Sequence, residues 1–211
     1  MTDVIKGKEG ALLRTKESLN RSTDRYLIGI VGKPGAGKST LSAYLLEQLH
    51  SSEVTVVPMD GYHLSNAVLQ ALGRADRKGA PDTFDVAGFA SLLQRIRNEK
   101  LVDVYYPVFD RSIEESIAAQ GVVTKETKVV IVEGNYLLHD SGGWEEIAEL
   151  LDELWFIDVD DEKRLKRLIA RHIAYGKSPA DAESWSRGSD EVNARTIATG
   201  RSRAHAVIAL D

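Results

Sequence analysis

Tyr26-Leu27-Ile28-Gly29-Ile30-Val31-Gly32-Lys33-Pro34-Gly35-Ala36-Gly37-Lys38-Ser39-Thr40 is the stretch that decides how this chain folds. Its first six residues form a nearly continuous apolar run, as expected of a parallel strand covered on both faces. From Ser39 onward, Leu41, Tyr44, Leu45, Leu46 and Leu49 recur at helical spacing. Between strand and helix, residues 32 to 39 fit G-x-x-x-x-G-K-[ST], the phosphate-binding loop, in the context that motif requires. Glycine is needed there because the chain must wrap closely round an anion with its amide hydrogens pointing inward. Gly32 and Gly37 are assigned to that wrapping, and Lys33, Pro34, Gly35 and Ala36 complete the loop. The helix beginning near Lys38 adds unpaired amides and the positive end of its dipole. The motif puts Lys38 on the β- and γ-phosphates of a nucleotide such as ATP, the Ser39 hydroxyl on Mg²⁺ and Thr40 beside the α-phosphate.

Outward from this stretch, apolar runs predict further strands at 54–59, 102–106, 128–132 and 154–159, with an edge strand at 204–210. The strand at 102–106 is expected to stop at Pro107. Helical periodicity covers 9–20, 86–99, 161–173 and 190–199. Residues 60–85 hold Gly61, Gly73, Gly79, Pro81 and several charges with weak periodicity, which predicts a long functional loop with a helical turn or two. Strands alternating with helices imply an α/β three-layer sandwich around a mostly parallel sheet, expected to have five strands.

Bulk properties exclude several classes. A length of 211 residues, 43% hydrophobic and 28% charged, describes an ordinary globular chain of one main domain. A formal net charge of −5 argues against a dedicated nucleic-acid binder. With no cysteine, disulfides and thiolate chemistry are excluded. The first 24 residues lack the apolar core of a secretory signal and no run of 18 apolar residues occurs, so the expectation is a soluble, cytoplasmic protein with no membrane partner. No N-K-x-D for reading guanine and no H-E-x-x-H for a catalytic metal is present. A regulatory nucleotide-binding protein without a metabolite acceptor stays open as the second reading.

Further motifs follow the loop in order: Met59-Asp60-Gly61-Tyr62-His63, then Arg77-Lys78-Gly79-Ala80-Pro81-Asp82-Thr83-Phe84-Asp85, then Tyr106-Pro107-Val108-Phe109-Asp110-Arg111, then Val132-Glu133-Gly134-Asn135-Tyr136-Leu137-Leu138. As an ordered set spanning roughly residues 26 to 200, they resemble the superfamily of uridine kinase, phosphoribulokinase and bacterial pantothenate kinase. The resemblance implies a P-loop NTPase fold with a helical lid, and an ATP- and Mg²⁺-dependent kinase acting on a hydroxyl of a small metabolite. Residues 1–24 would form a helical extension packed on a kinase domain at 25–211, with the lid at about 161–189. Asp60 occupies the position of the family's general base, and a carboxylate at the carboxyl edge of a parallel sheet suits that role. Glu133 matches the acidic residue that holds Mg²⁺ together with Ser39.

The helix from Asp161 to His172 places Arg164, Arg167 and Arg171 on one face, and Arg167 and Arg171 are the two assigned, with Lys38, to the charge on the transferring phosphoryl group. By the same resemblance, Tyr62, His63, Arg77, Lys78, Phe84, Asp85, Tyr106 and Arg111 are candidates for acceptor binding, while Arg187 and Asn193 are candidates for the adenine side. The acceptor segment is nearest in form to pantothenate kinases, yet the chain is much shorter than those enzymes. Nucleosides, sugars and related alcohols therefore remain open as substrates, and so does a homodimer.

Overall fold

The computed structural model describes residues 3–21, 24–49 and 52–210. Residues 1–2, 22–23, 50–51 and 211, which the expected domain spans include, lie outside the described residues. In chain order the elements are β1 (Asp3–Lys6), α1 (Gly7–Arg21), β2 (Tyr26–Val31), α2 (Lys38–Gln48), β3 (Val54–Pro58), α3 (Asn66–Ala71), α4 (Val86–Asn98), β4 (Val104–Asp110), β5 (Glu115–Val123), β6 (Val129–Gly134), α5 (Glu145–Glu149), β7 (Glu153–Asp158), α6 (Asp161–Ala174), α7 (Pro179–Arg187), α8 (Ser189–Ala198) and β8 (Ala206–Ala209). Short 3₁₀ turns at Met59–Tyr62, Ala75–Arg77 and Pro81–Thr83 punctuate the long loop after β3.

Six strands make one sheet in the order β1-β8-β7-β2-β6-β3, and every pairing is parallel. The sheet has one more strand than the sequence predicts, because β1 pairs with β8 from Asp3↔Ala206 to Lys6↔Ala209. The strand expected at 102–106 is not in this sheet. It runs on through Pro107 to Asp110 and pairs antiparallel with β5 as a separate ribbon, with a register shift between Tyr106 and Val108. Proline lacks the amide that a continuous ladder needs, so an irregularity at that position is the expected accommodation. The Tyr106 hydroxyl donates to the Val56 carbonyl at 2.8 Å and ties the ribbon to β3.

The period of two along each central strand sorts the core into two layers. Leu27, Val31, Val130, Val132, Leu154 and Phe156 face α4, α5 and the ribbon, together with Phe89, Leu93 and Trp144. Ile28, Ile30, Val129, Ile131, Trp155 and Ile157 face the other way, with Leu41 and Leu45 of α2 and Ala11 of α1. Both faces of β2, β6 and β7 are therefore covered, which explains their unbroken apolar runs. Because all strands run the same way, the segments leaving β2, β3 and β6 emerge at one edge, and β2 and β3 flank β6 there. That edge carries the phosphate loop, Asp60 and Glu133.

The ribbon reaches this edge through one close contact. A β-carbon on Gly61 would stand 2.0 Å from the Pro107 carbonyl oxygen, so the turn holding Asp60 and the bulge of β4 touch backbone to backbone. Gly61→Ala is expected to destabilise the protein by about 1–3 kcal/mol, the usual cost of overpacking, and to lower turnover by moving Asp60. Urea denaturation and activity measured on the same variant check this; an unchanged midpoint with unchanged turnover would contradict the contact.

Candidate active site

The phosphate loop owes its shape to positive backbone angles and to one lysine. Gly35 has φ 81°, and a β-carbon there would lie 2.7 Å from the main-chain oxygen of Arg164, so only glycine lets the loop approach α6 this closely. Gly37, with φ 95°, turns the chain into α2. The Lys38 side chain folds back across the loop. Its ammonium donates to the Gly32 carbonyl at 2.8 Å, the Lys33 carbonyl at 3.4 Å and Asn135 Oδ1 at 2.6 Å. Burial lowers the Lys38 pKa to about 8; the charges of Asp60 and Glu133 resist that fall and those of Arg171 and Arg111 add to it.

Two carboxylates flank this lysine. Glu133, near the end of β6, accepts from the Ser39 hydroxyl at 3.1 Å and from the Ser42 hydroxyl at 3.0 Å. Burial raises its pKa, opposed by the Ser42 hydroxyl, the charge of Lys38 and the Ser39 hydroxyl. Asp60 sits in the 3₁₀ turn after β3, where its Oδ2 accepts from Arg111 Nη2 at 2.7 Å. The Ser39 hydroxyl and Glu133 carboxylate, already in contact, form the oxygen-only donor pair that suits Mg²⁺ beside phosphate oxygens. The glycine-shaped loop with its inward lysine likewise fits a triphosphate.

The residues predicted for acceptor binding divide. His63 Nδ1 lies 2.7 Å from the Asp60 carbonyl, which only accepts, so Nδ1 carries the proton and Nε2 is the free acceptor. Its ring sits between Phe84 and Phe109 at 4.1 and 4.8 Å, and burial lowers its pKa. Lys78 donates to Asn66 Oδ1 at 2.7 Å and to the Glu114 carbonyl at 2.6 Å, with its ammonium 5.1 Å from the Phe109 ring centre. Arg111 lies over the same ring. Tyr62 packs on Phe89, and burial pushes its hydroxyl up to about 12.

These four gather round the Asp60 turn with Phe84 behind His63; the remaining three are engaged elsewhere, and Phe84 also has partners in the core. Arg77 pairs with Asp82 at 2.6 Å on the surface. Phe84 is buried edge-on against Trp144 and Tyr136. Asp85 caps α4 by accepting from the Gly88 amide at 2.9 Å. Tyr106 is the buried tie between ribbon and sheet.

The arginine stripe of α6 also divides. Arg164 is 1% exposed and lies against the outside of the phosphate loop. Arg167 is exposed and makes no hydrogen bond or ion pair among the described residues. Arg171 is close enough to Lys38, Arg111 and Asp60 to interact with their charges; desolvation and the charge of Arg111 lower its own pKa. Of the two residues predicted for the adenine side, Arg187 pairs with Glu183 at 3.0 Å and lines a shallow groove with Asp161, Leu165 and Glu191. Asn193 is buried in α8, with its amide 4.0 Å from where a β-carbon of Gly79 would stand. Sequence reasoning missed Asn135 and Ser42 as site residues. Asn135 falls inside the quoted motif around Glu133, so its signal was present. Ser42 had one only in its helical position, three residues after Ser39.

The family model for the phosphoribulokinase/uridine kinase family matches residues 27–209. The chain belongs to this family. Among relatives, a Schizosaccharomyces pombe protein named "Putative uridine kinase" is 33% identical over 180 residues, covering 80% of this chain and 75% of its own length. An "ATP-dependent kinase-like protein" of Aspergillus versicolor is 38% identical over 153 residues, 68% of this chain and 88% of its own. Among solved structures, a "putative fructose transport system kinase" from Silicibacter sp. TM1040 superposes with a TM-score of 0.86 at 36% identity, covering 97% of this chain and 98% of that one. The match thus spans the loop, Asp60, Glu133 and α6 alike, and the architecture is that of the family's P-loop kinases.

With its pKa lowered to about 8, Lys38 is expected to make nucleotide binding at this loop pH-dependent. A triphosphate recruits the charged form of Lys38, so below pH 8 the free protein already carries the proton, whereas above about 8 it must take one up. Affinity for a non-hydrolysable ATP analogue is expected to stay level from pH 7 to 8 and to fall by up to about tenfold per pH unit above that. Titration calorimetry in buffers of different ionisation enthalpy should show proton uptake rising toward one at pH 9. Level affinity to pH 9.5 with no uptake would rule this out.

Proposed function

We propose that this chain transfers the γ-phosphoryl group of ATP to a hydroxyl of a small metabolite, a nucleoside, sugar or pantothenate-like alcohol, with Asp60 as general base. One observation carries this reading: Lys38 at the start of α2, Glu133 near the end of β6 and Asp60 in the turn after β3 meet at one sheet edge, close enough that the charges of Asp60 and Glu133 both act on Lys38. A phosphate loop alone would serve a switch or a regulator. A second carboxylate beside it, with Arg111 and His63 around it, serves an acceptor hydroxyl. The family membership and the kinase names of its relatives support the phosphotransferase half.

In this reading the residues divide the work. Gly32 to Thr40 hold the nucleotide phosphates, and Lys38 leaves its carbonyl partners for the β- and γ-oxygens. Ser39 and Glu133 would hold Mg²⁺, which supplies charge neutralisation across the β- and γ-phosphates when bound. Arg167 and Arg171 meet the charge on the transferring group, an electrostatic service that needs no chemistry of their own. Asp60 takes the hydroxyl proton as the new phosphorus–oxygen bond forms and the bond to the ADP oxygen breaks. Arg111 holds the Asp60 carboxylate in place until the acceptor arrives, and His63 Nε2 accepts from a second donor on it. The lid comprises α6 and α7, and Asn193 and Arg187 close the far side. A soluble cytoplasmic setting suits such an activity.

A mass-spectrometric screen of nucleosides, pentoses, hexoses, pantothenate and related alcohols with Mg-ATP tests the proposal; the name of the Silicibacter relative adds fructose. Asp60→Asn is expected to lower turnover by about 10²- to 10⁴-fold while nucleotide affinity stays within a few-fold. Lys38→Ala is expected to damage nucleotide binding itself. Near-normal turnover in the Asp60 variant would remove it from the base role, and ATP hydrolysis with no phosphorylated product from any acceptor would favour a regulatory ATPase.

A further inference from the structure

Arg164 differs from the other two arginines of α6. Its guanidinium, 1% exposed, spends its donors in three directions. Nε donates to Asp161 Oδ1 at 2.8 Å, Nη2 to Glu191 Oε2 of α8 at 2.5 Å, and Nη1 to the Pro34 carbonyl of the phosphate loop at 3.3 Å. Asp161 in turn accepts from Lys33 Nζ at 2.8 and 3.0 Å. The Gly35 contact described above falls on the same helical turn, with the Arg164 Cγ 3.3 Å from the position a β-carbon would take. Residues 33, 34 and 35 thus all rest on the first turn of α6.

A buried guanidinium is tolerated because two carboxylates neutralise it, and the planar fork explains why arginine is used. A trans peptide is planar, so its carbonyl and the following amide point in opposite directions. With the Pro34 carbonyl fixed toward Arg164, the Gly35 N–H is aimed away from α6, into the space the loop encloses. We infer that Arg164 is a positioning residue for the phosphate loop: it holds the Pro34–Gly35 peptide so that the Gly35 amide faces the nucleotide's phosphate chain, with Glu191 and Asp161 holding Arg164 in turn. The inference rests on the nucleotide half of the proposed function and is independent of the acceptor and of Asp60.

Binding to the full chain, read by calorimetry or ligand competition, tests it with three probes: the Mg²⁺ complexes of a non-hydrolysable ATP analogue and of pyrophosphate, and adenosine alone. Arg164→Lys keeps a positive charge but cannot reach three partners from one plane. It is expected to weaken the analogue and pyrophosphate by the same factor, at least tenfold, and to leave adenosine within twofold. Glu191→Gln keeps the size and a carbonyl oxygen acceptor; it is expected to show the same pattern with a smaller factor and little change in melting temperature. If Arg164→Lys fails to fold, Glu191→Gln decides alone. Phosphate-chain binding within twofold of normal in the folded variants would overturn the inference, and so would a loss shared equally by adenosine. Wild-type protein that binds neither analogue nor pyrophosphate would overturn the phosphate-loop reading and this inference together.

Discussion

A lysine ammonium drawn partly out of water needs compensating partners, and much of this molecule is arranged around that requirement. Lys38 is held by the Gly32 and Lys33 carbonyls and Asn135 Oδ1, with the charges of Asp60 and Glu133 beyond them. These partners come from the ends of β2, β3 and β6, so the ammonium is satisfied only when three parallel strands are in register. Parallel pairing puts every strand end on the same side, and the order β2-β6-β3 brings the three ends together. The two-layered core is what keeps that register, since shifting any strand by one residue would exchange its two apolar faces.

Much of this was legible in the sequence. Residues 26–31 and 129–132 announce buried parallel strands because they are almost wholly apolar, and the loop after the first carries glycines where positive backbone angles are needed. What stayed hidden were elements whose pattern is weak or whose partner is distant. β1 is four residues with a single buried side chain, too short for any periodicity, and its place is set by β8 some two hundred residues on. β5 faces water along most of its length and carries Ala and Gly where a strand would show β-branched residues. The ribbon it forms with β4 is held by the Tyr106 tie and the Gly61 contact, and neither has a signature.

The site shows the same division. Spacing along α6 puts Arg164, Arg167 and Arg171 on one face, but periodicity says nothing of what that face meets along its length. One end meets the phosphate loop, the middle meets water, and the far end meets the cleft. Likewise Phe84, Asp85 and Tyr106 belong to the motifs round the acceptor, yet their chemistry goes into packing, a helix cap and an inter-strand tie. A motif fixes a neighbourhood; the hydrogen-bond partner decides the task.

The pairing of β1 with β8 bears on how the chain acquires its shape. β8 stands between β7 and β1 in the sheet, so β1 has no sheet neighbour until a segment some two hundred residues further along the chain is in place. β1 must therefore wait unpaired while the central strands assemble, and the sheet closes on that side only once β8 has joined β7. Contacts of such long sequence separation slow folding and leave an edge open in the meantime. The Arg14 ion pairs with Asp3 and Glu153 give the late-docking segment a charged latch on β7, one that is soluble while it waits.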